Sequence, residues 1–248
     1  LGFLGGIRAL TSFFTIIPTG RYSLTEAANY MPLSPLIGML IGLSAGLISW
    51  LLMQVFTNLI SGMLTLGFLL FLTGLHHTDG LLDFGDGLMC QGSPERKIEA
   101  MRNGKRGTGG LTLGLVTLMT TALAISYIEA HSIIQSLIIA EVSAKQGMVV
   151  LAWTGKSAHQ GLNTCFIDAM HGKNRVFRLT ISFTLSLAVV VPLLGLTGVI
   201  ALLIGSITAL VILWVSNRHF GGLTGDVFGA TNDLGRLTSL LTLLAMRP

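Results

Sequence analysis

The chain has 248 residues, of which 51% are hydrophobic and only 10% charged, with a net charge of +4 and a mean hydropathy of +0.75. Soluble domains carry about 25% charged residues, so a water-facing globular surface is excluded. The composition is that of an all-α, multi-pass membrane bundle forming one domain over 1–248.

The 31 glycines suit helices whose backbones approach closely. Membrane topology accounts for the excess of cations, so no nucleic-acid partner is expected. Cys90 and Cys165 show no CxxC spacing and suggest neither a disulfide framework nor a metal site.

In chain order, residues 1–17 (LGFLGGIRALTSFFTII) lack the basic start of a signal peptide and predict an interfacial helix stopped by Pro18. Crossing a ~30 Å hydrocarbon core takes about 17–25 apolar residues. Such runs are predicted at 36–56, 59–75, 111–128 and 133–153. The run 179–215 is too long for one span, and Pro192 with Gly195 divides it into two helices joined by a tight turn. A short segment, 237–246, reads as a partial or re-entrant helix. About six to seven transmembrane helices result.

Charge placement orients them. Arg96, Lys97, Arg102, Lys105 and Arg106 share the 77–110 connection, and Lys156, Lys173, Arg175 and Arg178 share 154–178. The connections near 57–58, 129–132 and 194–195 hold no Lys or Arg. The positive-inside rule therefore puts 77–110, 154–178 and 216–233 on the cytoplasmic face of a cell membrane. Glu141 and Lys145, four apart within one span, read as an intrahelical pair facing a cavity.

The stretch HHTDGLLDFGDG (76–87) raises the main chemical question. Asp79, Asp83 and Asp86 are spaced i, i+4, i+7, which on a helix puts them within about 60° of one another. Each carboxylate at mid-membrane would cost about 2.5–3.5 kcal/mol, so the cluster belongs in a polar cavity or at the interface, beside a cation. An all-oxygen donor set suits Mg²⁺ or Mn²⁺ rather than zinc, and Mg²⁺ is usually completed by substrate phosphates. The plainer alternative is a set of solvated aspartates beside turn glycines. His77 and His76 are placed to act as a base or to bind a phosphate, or to serve as ordinary polar anchors.

The segment MRNGKRGTGG (101–110) offers Arg102, Lys105 and Arg106, with backbone N–H groups at Gly107 and Gly109, at the start of a helix beginning near Leu111. That combination suits phosphates. It contains no GxxxxGK[ST] and is not a P-loop, and a basic juxtamembrane segment would account for it equally. A third stretch, GGLTGDVFGATND (221–233), sets Thr224, Asp226 and Asp233 among glycines on the same predicted side, consistent with one site shared with the first cluster.

Taken together the segments resemble the cobalamin synthase family, the adenosylcobinamide-GDP ribazoletransferases. The matching residues are His77, Asp79, Gly80, Leu81, Asp83, Asp86 and Gly87, then Met101–Gly110, then Gly221, Gly222, Thr224, Gly225, Asp226, Gly229 and Ala230. LTSFFTIIP and YMPLSPLIGMLIG resemble the family's opening. The chain departs from many members at Asn103 and Lys105, where they carry Asp and Arg, and at Asp233, where they carry Glu.

The resemblance implies a membrane-embedded, Mg²⁺-dependent transferase whose partners are adenosylcobinamide-GDP and α-ribazole, or its 5′-phosphate, with GMP released. On that reading Asp79, Asp83 and Asp86 hold Mg²⁺, and Asp86 and His77 are candidate catalytic groups. Arg102, Lys105, Arg106, Gly107, Gly109, Thr224 and Asp226 would contact substrate. Association with another copy or with other enzymes of cobamide assembly stays open. The alternatives fit less well. The DGxxAR pattern of CDP-alcohol phosphotransferases and the NDxxD-like spacing of UbiA-type prenyltransferases are both absent, and a cation transporter would place its acids at the membrane midplane.

Overall fold

The computed structural model describes residues 2–104 and 107–246, and among these every regular element is helical. Helices α1 (Phe3–Phe14) and α2 (Leu24–Asn29) lead through a 3₁₀ turn, Met31–Leu33, into α3 (Ser34–Leu52). Helix α4 (Asn58–Leu72) is followed by α5 (His76–Met89), α6 (Pro94–Arg102), α7 (Thr108–Tyr127) and α8 (Ile133–Thr154). Helices α9 (Leu162–His171), α10 (Arg175–Phe220) and α11 (Gly225–Ala245) complete the chain.

Four of these are long and apolar enough to cross a membrane, five if α4 and α5 count as one bent span. Leu40, Leu64, Val116, Met119, Leu203 and Trp214 stand exposed on the outer faces of α3, α4, α7 and α10. Apolar surface on that scale belongs against lipid, and the protein is a multi-pass membrane bundle.

Helix α8 is the axis, buried along nearly its whole length and packed by α3, α10 and α11. Its approach to α3 follows from Gly38, Gly42 and Gly46, one per turn. A methyl group added at Gly38 would meet the Glu141 carbonyl at 2.5 Å, at Gly42 the Ile138 Cα at 2.5 Å, and at Gly46 the Ile134 Cα at 2.7 Å. Without a hydrophobic force between helices in lipid, such backbone contact is what packing relies on.

Two elements differ from their sequence-based expectations, and a third matches in kind with its break set more narrowly. The span predicted at 59–75 stops at Leu72, where Gly74 (φ +64°) and Leu75 (φ +61°) turn the chain by 96° into α5. The apolar tally could not see this bend, because leucine does not announce a left-handed backbone. The tight turn expected between two helices in 179–215 is present, at Leu194 and Gly195, with Pro192 inside the first arm. Both arms lie along α8, since Ser182 and Ser186 donate to Gln146 Oε1 and Gly205 packs on Ser143. The segment 237–246 is the end of the 21-residue α11, which the glycines and charges before residue 237 concealed.

Inside the bundle the Glu141–Lys145 pair belongs to a wider network. Arg236 donates to Glu141 and, at 2.9 Å, to Asp233. Lys145 lies 3.5 Å from Glu141 and donates to Asn232 at 2.6 Å. Thr78 of α5 donates to Asp233 at 2.8 Å. Each charge has a partner, which burial in an apolar bundle requires.

Replacing Gly42 by leucine should force α3 and α8 apart and lower stability by about 1–3 kcal/mol. Leu43→Ala, on the lipid side of the same helix, should be close to neutral. Thermal unfolding of both variants in nanodiscs checks the contact, and equal melting temperatures would remove it from the argument.

Candidate active site

Helix α5 crosses the end of the bundle and meets α11 through glycines on both sides. A Cβ at Gly80 would meet the Asp226 Cα at 2.9 Å, and one at Gly229 would meet the His77 carbonyl at 2.7 Å. This contact brings exposed Asp79 and half-buried Asp226, far apart in sequence, onto the wall of one cavity of about 370 Å³. Burial pushes the Asp226 carboxyl up, and the Asp79 charge pushes the same way, against a hydrogen bond donated by Thr224.

Thr224 caps α11, accepting from the Val227 N–H, and its hydroxyl donates to Asp226 at 3.3 Å. It positions the carboxylate, and it is buried. The loop before α11 is pinned to the loop after α8. Leu223 N–H donates to the Lys156 carbonyl at 2.8 Å, and Ala158 N–H donates back to the Leu223 carbonyl at 2.9 Å.

The aspartates of α5 do not act as one cluster. Asp86 lies two turns beyond Asp79, about 10 Å along the helix. Its carboxylate accepts from the backbone N–H groups of Gly107 and Gly110, each at 2.7 Å. It caps α7. Gly107 gives its N–H to this cap, and Gly109 packs against Gly85 and Met89. Asp83 lies one turn beyond Asp79 on the same side of α5. Among the described residues no three His, Cys, Asp or Glu side chains converge as a ready-made metal cage.

Mg²⁺ does not demand such a cage, since one or two carboxylates with waters and substrate phosphates commonly hold it. A pair of like-charged carboxylates drawn from two helices, one of them disfavoured as an anion by burial, fits that ion. Asp79 and Asp226 would hold it, with Asp83 the next oxygen donor along α5.

His77 lines the cavity, buried, with no hydrogen-bond partner for Nδ1, while His76 lines it from an exposed position. Arg102 ends α6 and sits against the ring of His159, with its Nη2 2.9 Å from Nε2. Lys105 and Arg106 lie outside the described residues. Asp233 is withdrawn from the cavity into the buried network. Asn163 and Phe166 were missed in the sequence because the 154–178 connection, read as a basic loop, contains α9. Arg236 was missed because a lone arginine gives no sign of the partners that bury it.

Asp86→Ala should lower stability by about 1–2 kcal/mol, the usual loss for a helix cap, whereas exposed Asp79→Ala should leave the unfolding midpoint nearly unchanged. Thermal unfolding in nanodiscs reads both. A larger loss at Asp79 would mean the two assignments are interchanged.

The cobalamin-5-phosphate synthase family model matches residues 6–244. Relatives named adenosylcobinamide-GDP ribazoletransferase include one from Methanococcoides burtonii, 34% identical, covering 98% of this chain and 92% of the relative. Another, from Methanosarcina mazei, is 33% identical over 93% of this chain and 88% of its own length. One from Saccharolobus islandicus is 33% identical over 96% and 90%. No solved structure gives a significant match. With near-complete coverage by the family model, and with α5 and α11 bringing two separate motifs to one cavity, the chain belongs to the cobalamin-5-phosphate synthase family.

Proposed function

We propose that this chain joins adenosylcobinamide-GDP to α-ribazole, or to its 5′-phosphate, and releases GMP, at the cavity where Asp79 and Asp226 meet. The observation that carries the reading is this pair, drawn from two family motifs onto one wall. The ribazole hydroxyl oxygen forms a bond to the phosphorus borne by the corrinoid arm. The bridging P–O bond to GMP breaks, and the hydroxyl proton leaves. Mg²⁺, when bound, supplies charge neutralisation on the diphosphate and on the departing GMP.

The chain's own residues orient the partners. Asp79 and Asp226 are held by the α5–α11 glycine contact, and Thr224 fixes the Asp226 carboxylate. His77, within the cavity, is the candidate to take the hydroxyl proton. Arg102, held against His159, offers positive charge to phosphate oxygens.

The basic 77–110 and 154–178 connections meet at this end of the bundle through the Arg102–His159 contact. This supports a cytoplasmic mouth under the positive-inside rule. Counting the two arms of α10 separately supports a bundle of about six spans, in line with the count from sequence.

Purified protein in nanodiscs should release GMP only when both substrates and Mg²⁺ are present, and chelator should abolish release. Asp79→Asn, Asp83→Asn and Asp226→Asn should each lower kcat by at least ~100-fold, beyond what losing an outer-shell partner costs. Near-normal turnover in one of them removes that residue from the metal site. No release by folded wild-type protein would point to a different acceptor or to transport.

A further inference from the structure

The cavity is not uniformly polar. Its carboxylate end carries His76, Asp79 and Asp226, while Phe13, Phe166, Phe228 and Met148 line other parts of its wall. Phe13 and Phe166 lie with ring centroids 4.8 Å apart. Two buried side chains on this wall keep an unpartnered polar atom, His77 at Nδ1 and Asn163 at Oδ1. Asn163 spends both of its amide hydrogens, on Ser157 Oγ at 2.5 Å and on the Leu223 carbonyl at 2.9 Å. Both of these atoms are closed off from solvent, so what the cavity offers a ligand is its aromatic and thioether side chains together with His76, Asp79 and Asp226.

The shape and chemistry choose among the pieces of the reaction. A cavity of about 370 Å³ is in the range of small-molecule pockets and is far too small for a corrin ring with its amide arms. A guanine edge, with its amide N–H, amino group, carbonyl and ring nitrogen, would need several partners. The other polar walls are committed, since Ser12 bonds to Thr19 at 2.6 Å and the Tyr22 hydroxyl donates to the Ser12 carbonyl. A planar base with one unsubstituted ring nitrogen makes far fewer demands on such a wall. Aromatic and thioether walls favour a flat apolar ring.

We propose that this cavity is the subsite for the acceptor nucleoside, with its heteroaromatic base among Phe13, Phe166 and Phe228 and its reacting hydroxyl toward Asp79 and Asp226. The corrinoid and its GMP leaving group then stay at the mouth. The assignment rests on the ribazoletransferase reading and adds which substrate enters the bundle.

The test uses wild-type protein in nanodiscs and an α-ribazole analogue with an azide on the benzimidazole ring, irradiated without the second substrate. Label is expected in peptides containing Phe13, Asn163–Phe166 or Phe228, displaced by excess α-ribazole. Label confined to α6 and the start of α7, or no displaceable label, overturns the assignment.

Kinetics give a second readout. Phe166→Ala should raise KM for α-ribazole about tenfold, in keeping with the loss of an aromatic wall, and Phe166→Leu less. KM for adenosylcobinamide-GDP should stay within about twofold in both. The reverse split assigns the cavity to the other substrate and overturns the proposal. Wild-type protein that is labelled in these peptides but releases no GMP would overturn the reaction while leaving the subsite in place.

Discussion

Everything at the mouth of this bundle depends on two backbones touching. Gly80 and Gly229 let α5 and α11 approach until a single methyl group would not fit between them. Asp79 and Asp226 face a common space because of that contact. A side chain at either glycine would push the two helices toward the ~8–10 Å axis spacing of ordinary pairs and draw the carboxylates apart. The same device joins α3 to α8, so small residues provide both the packing of the membrane region and the geometry of the chemistry.

Behind that contact sits a compact ionic assembly of two acids and two bases. Glu141, Lys145, Asp233 and Arg236 tie α8 to α11, and Thr78 extends the ties to α5. Removing one partner from such a set leaves an uncompensated buried charge, costing about 3–5 kcal/mol. The arrangement resists sliding of α5 over α11, because any shift breaks a hydrogen bond in a medium that offers no substitute. Asp233 thus serves the site from behind, although its motif is continuous with Asp226.

The sequence made the broad architecture legible because apolar runs of membrane length are a strong signal, and α3, α7 and α8 lie close to where those runs end. The helical spacing of Asp79, Asp83 and Asp86 was also sound, since α5 is helical throughout. Spacing could not reveal that Asp86 turns to the N-terminus of α7, because capping partners from another helix are set by tertiary contact. The bend at Leu75 was hidden for a related reason. A left-handed leucine is a local strain held in place by the surrounding packing. The cavity's aromatic wall comes from α1, α9 and α11, whose proximity no local pattern encodes.

The bend at Gly74 and Leu75 ties the acidic helix to the bilayer as a mechanical element. Helix α4 has 15 residues, about 22 Å of rise, less than the ~30 Å of a typical hydrocarbon core. Alone it falls short of a crossing, which α4 and α5 complete only as one bent pair, with α5 fixed to the end of α4 at 96° like the arm of a crank. Membrane thickness therefore acts as a load on the arm that carries Asp79, with the α5–α11 glycine contact as the bearing that resists it. Acyl-chain length thereby becomes a physical variable of this site, alongside its ions and substrates.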